Sequence, residues 1–387
     1  MPIVNRIAAL HDEVAGWRQD FHRHPELNFD LPRTSAIVAE RLRGFGCDEV
    51  VTGIGRTGVV GIIRGSKTGS GRVIGLRSDM DALPIHETSG VAHASTVPGK
   101  MHACGHDGHM AMLLGAAKSL AETRNFDGTV ALIFQPDEEG GHGARAMVAD
   151  ELMDRFGIQE VYGMHNSQDP VGTISVIAGA ASAAVDWVHI AIEGKGGHAA
   201  RPHMAVDTLL VAAHVIAAAQ SVVARSADPL ASAVVSLCAV EAGSVFNVIP
   251  QTATLRGTVR TLSKATQDLV EQRLRAIVAG TAASFDATAT LTYDRACPSV
   301  MNTAAECDHA ALAASSVLGD AGVCRDVPPA MGGEDFAFML EERPGCMIGI
   351  GQGGDYGLHH PSYDFNDAIL PIGMSYWARL VETRLPS

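Results

Sequence analysis

No stretch of this 387-residue chain approaches the ~20 apolar residues that a bilayer span needs, so the sequence does not read as a membrane protein. Positive charge is scarce as well. Lys and Arg number 29 against 43 Asp and Glu, and the net charge of -14 argues against nucleic acid or an anionic membrane surface as a partner. Cysteine is sparse, odd in number and scattered, at positions 47, 104, 238, 297, 307, 324 and 346. That is poor material for a disulfide framework and fits a reducing cytoplasm. The N-terminal run MPIVNRIAALHDEV breaks its apolar residues with charges at helical spacing, which does not suit a secretory signal. There is no internal repeat and no low-complexity segment. What is present is 47% hydrophobic residues with 19% charged, enough for a sizeable core, at a length that suggests two domains.

The first part reads as α/β. Residues 4–22 and 34–44 have helical spacing, and 109–121 is an apolar helix with Asp107 as its expected N-cap. Short β-rich runs at 59–64, 73–77, 129–134 and 160–164 suit a buried sheet. From about residue 183 the pattern becomes strand 185–193, helix 205–223, strands 233–241 and 252–261, helix 264–285, strand 288–293. This βαββαβ order is that of a ferredoxin-like unit. Helices at 305–318 and 369–383 then resume the α/β character. The expected architecture is therefore α/β, with a small domain at 183–297 inserted into a larger, discontinuous one at 1–182 and 298–387.

The densest chemistry lies in Met101-His-Ala-Cys-Gly-His-Asp-Gly-His109. Thiolate and imidazole are ligands for zinc and similar first-row ions, and Gly105 lets Cys104 and His106 face one ion. His102 and His109 are expected to support the site. Asp79 and Asp81 follow one strand run, Glu138 and Glu139 follow another in Gln135-Pro-Asp-Glu-Glu-Gly-Gly141, and His165 ends a third. Sites in open α/β sheets lie beyond the carboxyl ends of strands, so these residues are expected to share one metal pocket. Adjacent carboxylates repel unless a cation or proton compensates, which suggests that one binds metal while the other takes a proton from water. His165 and the Leu358-His-His-Pro361 pair are candidates to close the sphere. Shared ligands would make the site binuclear, with ions ~3.5–4 Å apart.

Gly53-Ile-Gly-Arg-Thr-Gly58 matches the dinucleotide fingerprint, but Val59-Val-Gly-Ile-Ile63 after it reads as strand, so the helix N-terminus that would hold a pyrophosphate is missing. A Gly-rich turn is expected there instead. In the insert, Gly194-Lys-Gly-Gly-His198, Arg201-Pro-His203, Asn247-Val-Ile-Pro250 and Arg256-Gly-Thr-Val-Arg260 offer donors, and an Arg fork suits a carboxylate.

With His24-Pro-Glu26, Arg77-Ser-Asp-Met-Asp-Ala-Leu-Pro84, Gly163-Met-His165 and Gly332-Gly-Glu-Asp-Phe336 added, the chain resembles the M20 metallopeptidase family over nearly its whole length, in its amidohydrolase subfamily. The resemblance implies a zinc-peptidase-like α/β catalytic domain with an inserted ferredoxin-like lid and dimerisation domain. It implies two divalent ions (Zn, Mn, Co or Ni) held by Cys104, His106, Glu139, His165 and His359, with Cys104 bridging where related peptidases use Asp. It makes Glu138 the general base. His198, Asn247 and Arg260 become lid residues for the substrate carboxylate and developing oxyanion, with His198 reaching the partner subunit's site. The Gly332-Gly333 backbone would lie along the substrate.

Departures from the family pattern are Ser78, Asp137 beside the two glutamates, and His142. His142 is expected to support the site from outside the ligand set. The expected substrate is an N-acyl amino acid, hippurate-like or N-acetylated, cleaved to a carboxylic acid and a free amino acid. The expected protein is a cytoplasmic homodimer or tetramer. A dipeptidase or carboxypeptidase and a non-catalytic metal-binding homologue are the alternatives. A store of metal needs no general base beside a ligand.

Overall fold

A computed structural model describes residues 5–387, so residue 4 of the first expected helix lies outside the described residues. The chain divides into two compact units. The first comprises residues 1–181, 300–328 and 335–387, and the second residues 182–299 with 329–334.

The first unit is built on an eight-stranded mixed sheet, in the order Glu49–Ile54, Gly58–Arg64, Thr129–Gln135, Val73–Asp79, Glu160–Ser167, Gly345–Gly351, Ile174–Val176, Val323–Cys324. The central strands Thr129–Gln135, Val73–Asp79, Glu160–Ser167 and Gly345–Gly351 are mutually parallel. They are apolar on both faces because helices cover the sheet. His106–Thr123, Ala304–Leu318 and Leu370–Arg384 supply much of the buried core, with Met110, Leu113, Leu114, Tyr376 and Trp377 almost wholly enclosed.

Several sequence expectations shift by a few residues, with consequences at the site. The first helical pattern splits into Asn5–Ala8 and His11–Arg23, with the buried Leu10 at the N-cap of the second. Asp79 lies within its strand rather than after it, and His165 lies inside Glu160–Ser167. Residues 55–57 form the turn between the antiparallel strands Glu49–Ile54 and Gly58–Arg64, in keeping with a Gly-rich turn within the Gly53–Gly58 motif. Gly345–Gly351 has no counterpart in the sequence reading. Its glycines obscure a strand, yet close packing demands them: a Cβ at Gly349 would lie 2.3 Å from Ser175 Oγ, and one at Gly345 2.0 Å from the Val161 carbonyl oxygen.

The second unit has a four-stranded antiparallel sheet in the order Ala233–Ala242, Thr252–Thr261, Ala184–Glu193, Thr288–Cys297. The helices Thr208–Ser221 and Lys264–Ala283 contribute Val211, Val215, Val270, Leu274 and Val278 to its core. Asp207 and Ser263 cap them by accepting backbone N–H groups. The expectation that no stretch could span a bilayer needs correction, since Thr208–Ser226 is long and apolar enough by length and composition. Alanines interleave its larger apolar residues and spread the signal evenly. One face is core, packed with Ile190, Leu255 and Leu274, while Leu209 and Leu210 are exposed.

Candidate metal centre

The site grows from the carboxyl ends of the central strands and the start of the His106–Thr123 helix. Gly105 precedes that helix at φ +93°, where a Cβ would lie 2.6 Å from Asn166 Oδ1 and 2.7 Å from Tyr363 Oη. Only glycine meets both conditions, and the turn it allows sets Cys104 and His106 side by side. Asp107 is not the N-cap that the sequence suggested. It lies in the first helical turn, fully buried, because His22 Nδ1 at 2.8 Å and Arg18 Nη1 at 3.6 Å draw it inward.

Two imidazoles are oriented by backbone carbonyls. His106 Nδ1 donates to Asp81 O at 2.8 Å, and His165 Nδ1 donates to Asn166 O at 2.8 Å. A carbonyl can only accept, so Nδ1 carries the proton in both rings and each Nε2 is turned to the cluster. His106 Nε2 is buried without a hydrogen-bond partner, 3.8 Å from Glu138 Oε2 and 4.0 Å from Glu139 Oε1. Glu139 Oε1 is likewise buried without a hydrogen bond, 3.5 Å from His359 Nε2. His165 Nε2 lies 3.4 Å from Cys104 Sγ. His359 takes a left-handed backbone (φ +67°), fixed by its N–H on the Ala103 carbonyl at 2.7 Å.

The ligand atoms of Cys104, His106 and Glu139 all lie within 4.8 Å of one another, as do those of Asp79, His106, His109 and His165. Buried polar atoms normally find partners. Two orphaned donor atoms beside a thiol and a second imidazole therefore fit a divalent cation.

Charge supports the same fit. Burial pushes the Cys104 thiol well above its ordinary range, so a thiolate there needs a cation beside it. Burial and the neighbouring His109 bring His165 down to about 3, so it stays a neutral donor. Burial also pulls His106 down, but the Asp79 carboxylate overrides it and holds the ring well above the usual histidine range. A cation at Nε2 would take the place of that proton.

Asp79 and Asp81, expected in the pocket from their place after a strand, have distinct roles. Asp81 accepts the backbone N–H groups of Glu138 at 3.0 Å and Glu139 at 3.1 Å, so it positions both carboxylates. Asp79 receives Arg77 Nη1 at 2.8 Å and His109 Nδ1 at 2.6 Å. His109 continues through Asn166 to the Tyr363 hydroxyl, to which Asn166 Nδ2 donates at 2.8 Å. Asn166 and Tyr363 carried no motif signal and escaped the sequence reading. His102 is fully buried with neither ring nitrogen hydrogen-bonded, and burial lowers it to about 3. Asp137 is buried at φ +51° and lies 3.6 Å from the exposed His142, with burial pushing its carboxyl up to about 6.

The remaining predicted residues lie in the second unit. The strand Gly197–His198 pairs with Val248–Ile249, placing His198 opposite Val248 and next to Asn247, whose carbonyl accepts Ala199 N–H at 3.1 Å. The Arg260 guanidinium lies 5.7 Å over the Trp187 ring and bonds Thr258 Oγ1 and the Val259 carbonyl. The Gly332 carbonyl accepts Ala183 N–H at 3.1 Å, and a Cβ at Gly333 would lie 2.4 Å from Val185 Cγ2.

A buried Cys, His and Glu donor set beside a second carboxylate, on a parallel sheet edge, is that of a metal-dependent hydrolase. The pattern of Peptidase family M20/M25/M40 matches residues 75–383, and the chain belongs to that family. It is 39% identical to a hippurate hydrolase of Campylobacter jejuni over 383 residues, covering 98% of each chain. It is also 39% identical to an N-acetylcysteine deacetylase of Bacillus subtilis, covering 96% of this chain and 97% of the relative. Among solved structures, Bacillus subtilis YxeP protein, described as a dinuclear metal-binding peptidase of the M20 family, superposes with a TM-score of 0.87 at 35% identity, over 98% of this chain and 99% of that one.

Proposed function

We propose that the chain is a metal-dependent amidohydrolase that cleaves N-acyl amino acids, hippurate-like or N-acetylated, to a carboxylic acid and a free amino acid. The observation that carries this reading is the pair of buried, orphaned donor atoms, His106 Nε2 and Glu139 Oε1, facing Cys104 and His165 beside Glu138. The names of the similar hydrolase and deacetylase support the substrate class.

In this reading Cys104, His106, Glu139, His165 and His359 would hold two divalent ions (Zn, Mn, Co or Ni). When bound, such ions polarise an amide carbonyl and lower the pKa of water. Glu138 accepts the proton of the attacking water and passes it to the leaving nitrogen. Asp81 keeps Glu138 and Glu139 in register through their N–H groups. His198 stabilises the developing oxyanion, Arg260 and Asn247 hold the substrate carboxylate, and the Gly332-Gly333 backbone runs along the substrate.

Residues 1–182 and 298–387 form the catalytic domain, and 183–297 a ferredoxin-like lid through which the protein dimerises. The sheet order of the second unit supports the lid fold. Exposed Leu209, Leu210, Val223 and Phe246 support self-association. Seven free thiols support a cytoplasmic setting.

The test is a panel of hippurate, N-acetyl amino acids and dipeptides on protein of defined metal content. Turnover of the acyl amino acids that a chelator abolishes and metal restores is expected. Hydrolysis confined to dipeptides, or turnover indifferent to the chelator, would overturn the reading.

A further inference from the structure

Cys307 and Cys346 are both fully buried, and their sulfur atoms lie 3.3 Å apart. They are separated by 39 positions in sequence and belong to different elements, the helix Ala304–Leu318 and the strand Gly345–Gly351. The backbone holds these elements together just beside the thiols. Thr303 N–H donates to the Gly345 carbonyl at 2.9 Å, and Gly345 N–H donates to Thr303 Oγ1 at 3.3 Å. The Asn302 side chain pairs with Met347 as a strand would, accepting its N–H at 2.8 Å and donating to its carbonyl at 2.9 Å. Cys307 begins its turn from the same anchor, its N–H on the Thr303 carbonyl at 3.0 Å.

We propose that Cys307 and Cys346 are an oxidisable thiol pair that closes to a disulfide across the helix–strand seam. A disulfide needs sulfur atoms about 2.0 Å apart, so closure asks the two side chains to move by roughly 1.3 Å while the clamped backbone stays in place. Buried cysteines otherwise behave as small apolar residues. The hydrogen bond between the two thiols and the nearby Arg325 make Cys307 the one that ionises more readily, while its partner is held in the protonated form.

With hydrogen peroxide as oxidant, the Cys307 thiolate attacks one peroxide oxygen, giving a sulfenic acid and, after protonation, water. The Cys346 thiolate, having lost its proton, then attacks the sulfenic sulfur. The S–S bond forms, and the sulfenic oxygen leaves as a second water. Two thiols and one peroxide thus yield one disulfide and two waters. The pair takes no part in the proposed catalysis, so the inference stands apart from that reading.

The experiment treats metal-loaded wild-type protein with hydrogen peroxide, blocks residual thiols with an alkylating agent under denaturing conditions, and digests without reductant. Mass spectrometry should find the Cys307 and Cys346 peptides joined, two hydrogens lighter than their sum, and separated again by a thiol reductant. Buried Cys297, whose sulfur donates to the carbonyls of Pro298 and Glu334, should keep its alkyl label. The oxidised protein should melt at a higher temperature than the same sample after reduction. Full alkylation of Cys307 and Cys346 while the exposed Cys238 and Cys324 are oxidised would overturn the proposal. So would a joined form that melts at the same or a lower temperature.

Discussion

Most of the residues proposed for the metal are held in the opposite way to those proposed for the substrate, with the exposed His359 the exception. Cys104, His106 and Asp81, the last of which positions Glu138 and Glu139, are almost fully buried, and the thiol, ring or carboxylate of each is met by a second group. His198 is exposed and is placed by a two-residue strand pairing, while Arg260 is half-buried against Trp187. The first set is rigid because its surroundings leave one arrangement, which suits a donor set that must match an ion. The second set is more exposed, which suits groups that meet a substrate arriving from solvent. Substitutions should therefore separate the two: the buried set should lose metal or stability together with activity, and the exposed set activity alone.

The largest expected effect is that of Glu138→Ala, a fall in kcat of about 10³-fold or more with metal content retained, measured by turnover and metal analysis. Near-wild-type turnover would remove Glu138 as the base. His198→Ala should lower kcat by roughly 10²-fold with no change in melting temperature. Mixing it with Glu138→Ala protein should restore part of the activity if His198 acts across the dimer. No recovery after demonstrated subunit exchange would confine His198 to its own subunit.

Asp81→Ala should weaken metal binding by about 10–100-fold and lower the melting temperature, because the Glu138 and Glu139 N–H groups lose their acceptor. Loss of turnover with unchanged metal affinity would break the distinction between the two sets.

The smallest effect should come from pH. Burial pulls His22 down, but Asp107 and Glu87 outweigh it and raise the ring to about 9. Its contribution to stability is then complete below the ordinary histidine value of ~6.5 and is lost as pH rises through about 9. Thermal unfolding from pH 6 to pH 10 should show a decline that His22→Phe lacks. Parallel curves for the two proteins would remove His22 as the cause.

Much of the centre was legible from local pattern. The Cys104-Gly-His106 spacing, the Glu138-Glu139 pair after a strand, and His165 near the end of another point to a metal without any coordinates. Elements with clean periodicity were also legible, such as the strand Thr252–Thr261, whose sequence bounds the structure reproduces. The Gly345–Gly351 strand was hidden because its glycines answer to neighbours distant in sequence rather than to any local preference. Asp107 was misjudged for a related reason. An acid near a helix start looks like a cap until Arg18 and His22, more than 80 positions away, are found against it.

The amino-acid sequence by itself determined the donor chemistry, the α/β layering and the change of pattern near residue 183, because ligand type and hydrophobic period are local properties. Tertiary structure alone decided which nitrogen of His106 and His165 faces the cluster, that Asp81 serves the Glu138 and Glu139 backbone, and that Cys307 meets Cys346. Each of these depends on the direction of a hydrogen bond or the approach of two side chains between distant segments, which no local pattern encodes.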